Sequence, residues 1–262
     1  MNSIVIKKTQ IANAISMDEI QPLIQPIVNR NKNLIGFEVL ARWIVSEYET
    51  RLPLQFIPII KDDKQLSESL TISLLQQLIT HFSSHKNNNI FISTNIYSHS
   101  LTTLVINLLI KLNKYINVVV EILEDDDINN RNEFKIILHY LKSKGIKIAL
   151  DDFGCGNNIN DRLFDYPFDY VKIDKLFISD IDIHSDKLKS LKAMMKIIHY
   201  FNLPIIAEGV ENEHVFNVLT MLNIEMYQGY LFSKPIPLSD QQYQSISLIN
   251  DNKASQTLKR II

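Results

Sequence analysis

The sequence predicts an α/β chain closed into a (β/α)8 barrel, and three observations carry the prediction. Short β-branched runs recur along it, helical patterns separate them, and the runs end on ionisable or amide side chains. Ile90-Phe91-Ile92, Val118-Val119-Val120, Ile146 to Leu150, Tyr170 to Ile173 and Pro204 to Ala207 have the length and apolar character of buried parallel strands. Between the runs, Leu66, Leu70, Leu74, Leu78 and Phe82 recur every four residues. Leu188, Leu191, Met195, Ile198 and Phe201 recur every three or four, the spacing of one helix face. Strands alternating with helices require right-handed crossovers in a mainly parallel sheet.

The strand ends bear on whether that sheet is open or closed. Asn95, Glu121, Asp151 with Asp152, Lys172 with Asp174, Glu208 and Gln228 mark successive ends at gaps of 20 to 36 residues, enough for a strand, a turn and a helix each. In a closed barrel these ends meet at one face, where barrel enzymes collect their chemistry. An open doubly wound sheet, the weaker alternative, would spread them along a line. Residues 1–18 lack a strong period and read as a lead segment. Residues 19–242 read as the domain, and residues 243–262 as a polar C-terminal tail.

Composition narrows the function. A chain of 262 residues, 46% hydrophobic, can bury a full core. Lys and Arg number 27 against 29 Asp and Glu, so no overall positive field recruits a nucleic-acid polymer or an anionic membrane. Cys155 is the single cysteine, which excludes an intramolecular disulfide and a multi-cysteine zinc site and fits a reducing compartment. With no signal-like start and no apolar run near the roughly 20 residues of a membrane span, the expected location is the cytoplasm.

The chemistry lies in carboxylates set within apolar strands. Acids are almost never fully buried unless paired or bound to a cation. Any one of Glu38, Glu121, Asp151, Asp152 and Glu208 could pair with a nearby Lys or Arg. Five of them beside Asn95 at one barrel mouth, with few cations, would repel without bound metal. An all-oxygen donor set suits Mg²⁺ or Mn²⁺. Other motifs fall away. Asp152-Phe153-Gly154 lacks the glycine-rich loop of a kinase, and His81 and His85 lack the glutamate of a zinc protease and read as a solvated helix end. The acidic run after Glu124 lacks calcium-loop spacing, and carboxylates beside Cys155 should raise its thiol pKa.

Gln25-Pro26-Ile27-Val28 followed by Glu38-Val39-Leu40-Ala41-Arg42 resembles the opening signature of EAL domains, with Val39 where the motif has Ala. Phe56-Ile57-Pro58, Asn95, Glu121-Ile122-Leu123-Glu124, Asp151-Asp152-Phe153-Gly154, Lys172-Ile173-Asp174, Ala207-Glu208-Gly209-Val210-Glu211 and Gln228-Gly229 through Lys234-Pro235 follow in family order. The resemblance spans about residues 20–238. It implies a TIM-like barrel of the EAL type with an antiparallel first strand, and metal-dependent hydrolysis of cyclic di-GMP to linear 5′-pGpG, which would lower a bacterial signalling nucleotide.

It also implies roles. Glu38, Asn95, Glu121 and Asp151 match the ligands of one ion, and Asp151, Asp152 and Glu208 lie where a second would be held. Lys172 matches the residue that contacts the attacking water, so Lys172, Glu208 and Glu38 form the implied catalytic set. Arg42 and Gln228, with Gln25, Leu40, Asp174 and Pro235, match substrate contacts. Glu124, Asp174 and Glu211 match positions that hold loops and ligands in place. A homodimer and a regulatory protein partner are further expectations. The chain departs from the family at Lys61, at Leu123 and in the loop Cys155-Gly156-Asn157-Asn158-Ile159. A receptor or protein-binding module on the same barrel is the alternative; the retention of every metal ligand favours the enzyme.

Overall fold

A computed structural model describes residues 6–124, 126–155, 159–181 and 186–238, with the side chains of 159–161 left aside. The expected tail at 243–262 and residues 156–158 of the altered loop lie outside the described residues. Chain order is α1 (Lys8–Ser16), β1 (Ile20–Asn29), β2 (Leu34–Ser46), β3 (Glu49–Arg51), α2 (Pro53–Ile60), α3 (Lys64–Ser83), β4 (Asn87–Asn95), α4 (Thr103–Leu112), β5 (Ile116–Leu123) and α5 (Arg131–Ser143). It continues with β6 (Lys147–Phe153), α6 (Ile159–Asp165), β7 (Tyr170–Ile173), α7 (Lys175–Ile178), α8 (Asp186–Tyr200), β8 (Ile205–Ala207), α9 (Glu213–Met221), β9 (Met226–Gln228) and β10 (Ile236–Pro237).

The sheet closes. From β2 through β4, β5, β6, β7, β8 and β9 every pairing is parallel. Strand β1 seals the gap, antiparallel to both β2 and β9. The result is an eight-stranded barrel whose first strand runs against the others, as expected, with β3 and β10 as outer additions. The five apolar runs become β4 to β8. Both helical patterns are helices too: Leu70, Leu78 and Phe82 are buried on α3, and Leu188, Leu191, Met195 and Ile198 on α8.

Alternation along each strand divides the packing. Outward residues such as Ile24, Phe37, Ile92, Val118 and Ile148 pack against the helices in the main core. Inward residues Ile27, Ile206 and Met226, with Phe91 and Tyr170 beside them, fill the barrel below the mouth. Gly36 is required there, because a Cβ would lie 2.7 Å from the Phe91 ring. Side chains start the helices: Asp63 accepts from the Leu66 N–H, Thr102 from Val105, Asn130 from Glu133 and Asn212 from Val215.

Residues 6–18 of the expected lead segment are more ordered than their sequence pattern indicates. Helix α1 buries Ile11, Ala14 and Ile15 against Ile20, Trp43, Phe56 and Ile60. Three apolar positions within nine residues are too few to register as a period, so docking against neighbours, not propensity, holds this helix. No helix among the described residues is long and apolar enough to cross a membrane.

Candidate active site

Each strand delivers its polar residue to one rim. Glu38 faces inward from β2, and Asn95 ends β4. Glu121 lies near the end of β5, Asp151 and Asp152 in β6, Lys172 in β7; Glu208 directly follows β8, and Gln228 ends β9. In a regular strand Asp151 and Asp152 would point to opposite faces. Two local features bring them together: Asp152 adopts a left-handed backbone with φ 54°, and the β6–β7 register shifts between Leu150 and Phe153. The Asp152 N–H donates to Asp151 Oδ1 at 3.0 Å, which fixes the bend.

Lys172 sits at the centre, 0% exposed. Its Nζ lies 2.6 Å from Glu208, 2.9 Å from Glu121, 3.1 Å from Asp151 and 3.4 Å from Glu38. Burial alone would lower the ammonium pKa, but Asp151, Glu121, Glu208 and Glu38 outweigh it and hold Lys172 well above its ordinary value. The acids remain in excess. Burial first, with the neighbouring carboxylates adding to it and Lys172 opposing, raises Glu121, Glu208 and Asp151 above the usual carboxylate range. Asp152 is pushed up to about 7 by burial, then by Asp151 and Asp174.

That excess is the test for a metal. Glu38, Glu121 and Asp151 offer oxygens within 4.8 Å of one another, and so do Asp151, Asp152 and Glu208. Asp151 belongs to both groups. Asn95 Nδ2 donates to Glu38 Oε1 at 3.1 Å, which leaves the Asn95 carbonyl oxygen to join the first group. One ammonium cannot neutralise five carboxylates, whereas a hard cation in either group could, so the residues present fit a metal.

Glu124 Oε2 accepts from the Gly154 N–H at 2.8 Å and the Glu124 N–H donates to Asp151 O at 3.1 Å, which ties down the chain leaving β6. Asp174 accepts from the Leu176 N–H at 2.8 Å and starts α7. Leu40, two residues beyond Glu38 on β2, lines a cavity of about 250 Å³ with Asn95, Asp151 and Asp152. Arg42, two further on, is half-buried and donates to Ala41 O at 2.8 Å. Pro235 is half-buried just before β10. Glu211 is not brought into the group: it is exposed in the loop leaving β8, and no hydrogen bond or ion pair among the described residues reaches it.

The cysteine expectation holds: partial burial, then Asp174 and Asp152, push the Cys155 thiol up to about 11. His85 Nδ1 meets His81 O at 3.0 Å and the two rings stack at the end of α3, away from the barrel mouth. Pattern reading missed the amide contacts to Glu38. Gln228 Nε2 donates to Glu38 Oε2 and, at 3.1 Å, to Gln25 Oε1. The available signal was a glutamine amid the apolar residues of β1.

A closed mixed barrel with a lysine at its mouth, ringed by acids that could hold a metal ion, defines a class of site, and comparison with known proteins narrows the class. The family model for the EAL domain matches residues 8–235, and the chain belongs to the EAL domain family. Among relatives, the probable cyclic di-GMP phosphodiesterase PdeG of Escherichia coli strain K12 is 31% identical over 238 residues, 87% of this chain and 46% of PdeG. The cyclic di-GMP phosphodiesterase PdeL of the same organism is 28% identical over 243 residues, 89% of this chain and 67% of PdeL. The chain thus spans less than half the length of PdeG. Among solved structures, the PaMucR phosphodiesterase in complex with c-di-GMP superposes with a TM-score of 0.75 at 26% identity, covering 87% of this chain and 96% of that one. An EAL domain protein from Listeria monocytogenes EGD-e reaches 0.78 at 24% identity over 94% and 99%, a likeness of fold.

Proposed function

We propose that this chain hydrolyses cyclic di-GMP to linear 5′-pGpG at the barrel mouth with two divalent ions, Mg²⁺ or Mn²⁺, and that it does so in the cytoplasm. The observation that carries the reading is the excess of carboxylates around buried Lys172, arranged as two oxygen groups that share Asp151. The names of PdeG and PdeL and the bound ligand of PaMucR support the substrate.

Glu38, Asn95, Glu121 and Asp151 would hold one ion, and Asp151, Asp152 and Glu208 the other. Bound there, such ions supply a hydroxide at neutral pH and neutralise charge on the phosphoryl group. Lys172, gripped by four carboxylates, keeps a fixed positive charge facing the water that attacks phosphorus. The P–O3′ bond breaks as the P–O bond to that water forms; the water gives up a proton to solvent, the departing 3′ oxygen takes one up to become a hydroxyl, and the product keeps a 5′-phosphate. Arg42 at the rim is suited to the second phosphate, which does not react. No side chain needs to become a nucleophile.

The test is incubation of purified protein with cyclic di-GMP and Mg²⁺ or Mn²⁺, with chromatography of the products. Linear 5′-pGpG should form with the ions and stop with a chelator. Undiminished hydrolysis after exhaustive chelation would refute the metal mechanism. Binding without cleavage under any supplied ion would refute the enzyme and leave a nucleotide receptor.

A further inference from the structure

The amide chain behind Glu38 assigns Gln25 a task other than substrate contact. Gln25 lies on β1 directly opposite Glu38 in the antiparallel β1–β2 pair, and its neighbour Ile27 lies opposite Gln228 in the β1–β9 pair. Three glutamine and glutamate side chains therefore meet across one seam, inside the barrel, and all three are buried.

Their hydrogen bonds have a direction. Ser233 O can only accept, and it takes a bond from Gln25 Nε2 at 3.0 Å. That fixes the Gln25 amide with Oε1 toward Gln228, where it accepts from Gln228 Nε2 at 3.1 Å. Gln228 is thereby turned so that its second N–H reaches Glu38 Oε2. Flipping either amide would set carbonyl against carbonyl or carbonyl against carboxylate. Among the described residues no hydrogen-bond partner meets the buried Gln228 Oε1, a cost an apolar side chain would avoid. Both polar ends of Gln25 are engaged by the protein itself.

We propose that Gln25 is a positioning residue: through Gln228 it pins Glu38 Oε2, so that Glu38 presents its oxygens to an ion in one orientation. Its anchor, Ser233, belongs to the segment that runs from β9 to β10 and carries Pro235. The position of that segment is transmitted along the chain of amides to a metal ligand.

The inference rests on the reading of Glu38 as a metal ligand, and its test reads ion affinity without substrate. Mn²⁺ is titrated into full-length protein and free Mn²⁺ followed by electron paramagnetic resonance, for wild type, Gln25→Met, Gln228→Met and the double variant. Gln25→Met should raise the Mn²⁺ Kd about tenfold and lower kcat, with KM for cyclic di-GMP unchanged. In the Gln228→Met background the same change should have no further effect, since the two act in series. Gln25→Glu, which keeps an acceptor for Gln228, should recover part of the affinity. Gln25→Asn, too short to reach Gln228, replaces Gln25→Met if the latter does not fold. An unchanged Mn²⁺ Kd with a raised KM would overturn the relay and make Gln25 a substrate contact. Additive losses in the double variant would overturn action through Gln228. A wild type that does not bind Mn²⁺ would overturn both the relay and the metal reading beneath it.

Discussion

Replacing Lys172 with Met should expose how the barrel mouth is held together. The side chains are similar in length, so the change is chiefly one of charge. The ammonium it removes is fully buried and lies 2.6 to 3.4 Å from four carboxylates. Removing one partner of a buried ion pair costs about 3–5 kcal/mol. A domain of this size loses about 2–4 °C of melting temperature per kcal/mol, so the chelated variant should melt roughly 10 °C below wild type. Proton uptake by the stranded acids relieves part of the loss, so the gap should be wider at pH 8 than at pH 6. Mn²⁺ restores positive charge and should raise the melting temperature of the variant more than that of wild type. With saturating ions kcat should fall by about 10²–10³-fold, the usual effect of losing a group aimed at developing charge. The assays are scanning calorimetry in chelator and in Mn²⁺ at both pH values, and product chromatography. A chelated variant within about 2 °C of wild type at pH 8, under about 1 kcal/mol, would refute the idea that Lys172 is the counter-charge. A rise in KM with unchanged kcat would move Lys172 from chemistry to binding.

Three further outcomes follow from the same geometry. Glu38→Ala should lower hydrolysis by at least about 100-fold while calorimetry in the same Mg²⁺ buffer finds cyclic di-GMP binding largely kept; an equal loss of affinity would count against Glu38 as a metal ligand. Asp152 has a folded-state pKa raised from 3.8 to about 7, so its contribution to stability is fully present below its unfolded value and is lost as pH rises through the folded one. Chelated protein should therefore lose melting temperature between about pH 4 and pH 7 on this account, and the raised pKa values of Glu121, Glu208 and Asp151 act in the same direction. A chelated protein that grows steadily more stable across that window would contradict it. Native Cys155, with its thiol pushed up to about 11 by partial burial and then by the acids beside it, should alkylate with iodoacetamide at pH 8 about tenfold more slowly than the unfolded chain, the scarcer thiolate being partly offset by its higher nucleophilicity; equal rates would refute that environment for the thiol.

The barrel and most of its mouth were legible because acids inside apolar strands stand out. Asn95, Glu121, Asp151, Lys172, Glu208 and Gln228 each ended a run, and the gaps between runs matched strand-plus-helix units. Three features were not legible for physical reasons. Helix α1 is too short to show a period and exists through docking of Ile11, Ala14 and Ile15. The left-handed backbone of Asp152, which turns a second acid into the mouth, leaves no mark where the residue is not glycine. The amides of Gln25 and Gln228 meet only because β1 closes the barrel, a long-range pairing that no local pattern announces. Glu211, which the run Ala207-Glu208-Gly209-Val210-Glu211 suggested as a residue holding loops and ligands, lies exposed in the loop after β8 and outside the acid groups at the mouth, a placement that its motif does not announce.

The reversed first strand has a mechanical consequence. In an all-parallel barrel the chain enters at the rim opposite the one where its strands end. Here β1 begins beside the ends of its neighbours, with Ile20 paired to Trp43 and the Glu19 carbonyl bonded to the Ile44 N–H. Helix α1 therefore lies to one side at the acid-bearing end of the barrel, packed against α2 and α3. A pull or twist on α1 would load β1 in shear against β2, the strand that carries Glu38, Leu40 and Arg42, and would reach the mouth without crossing the body of the barrel.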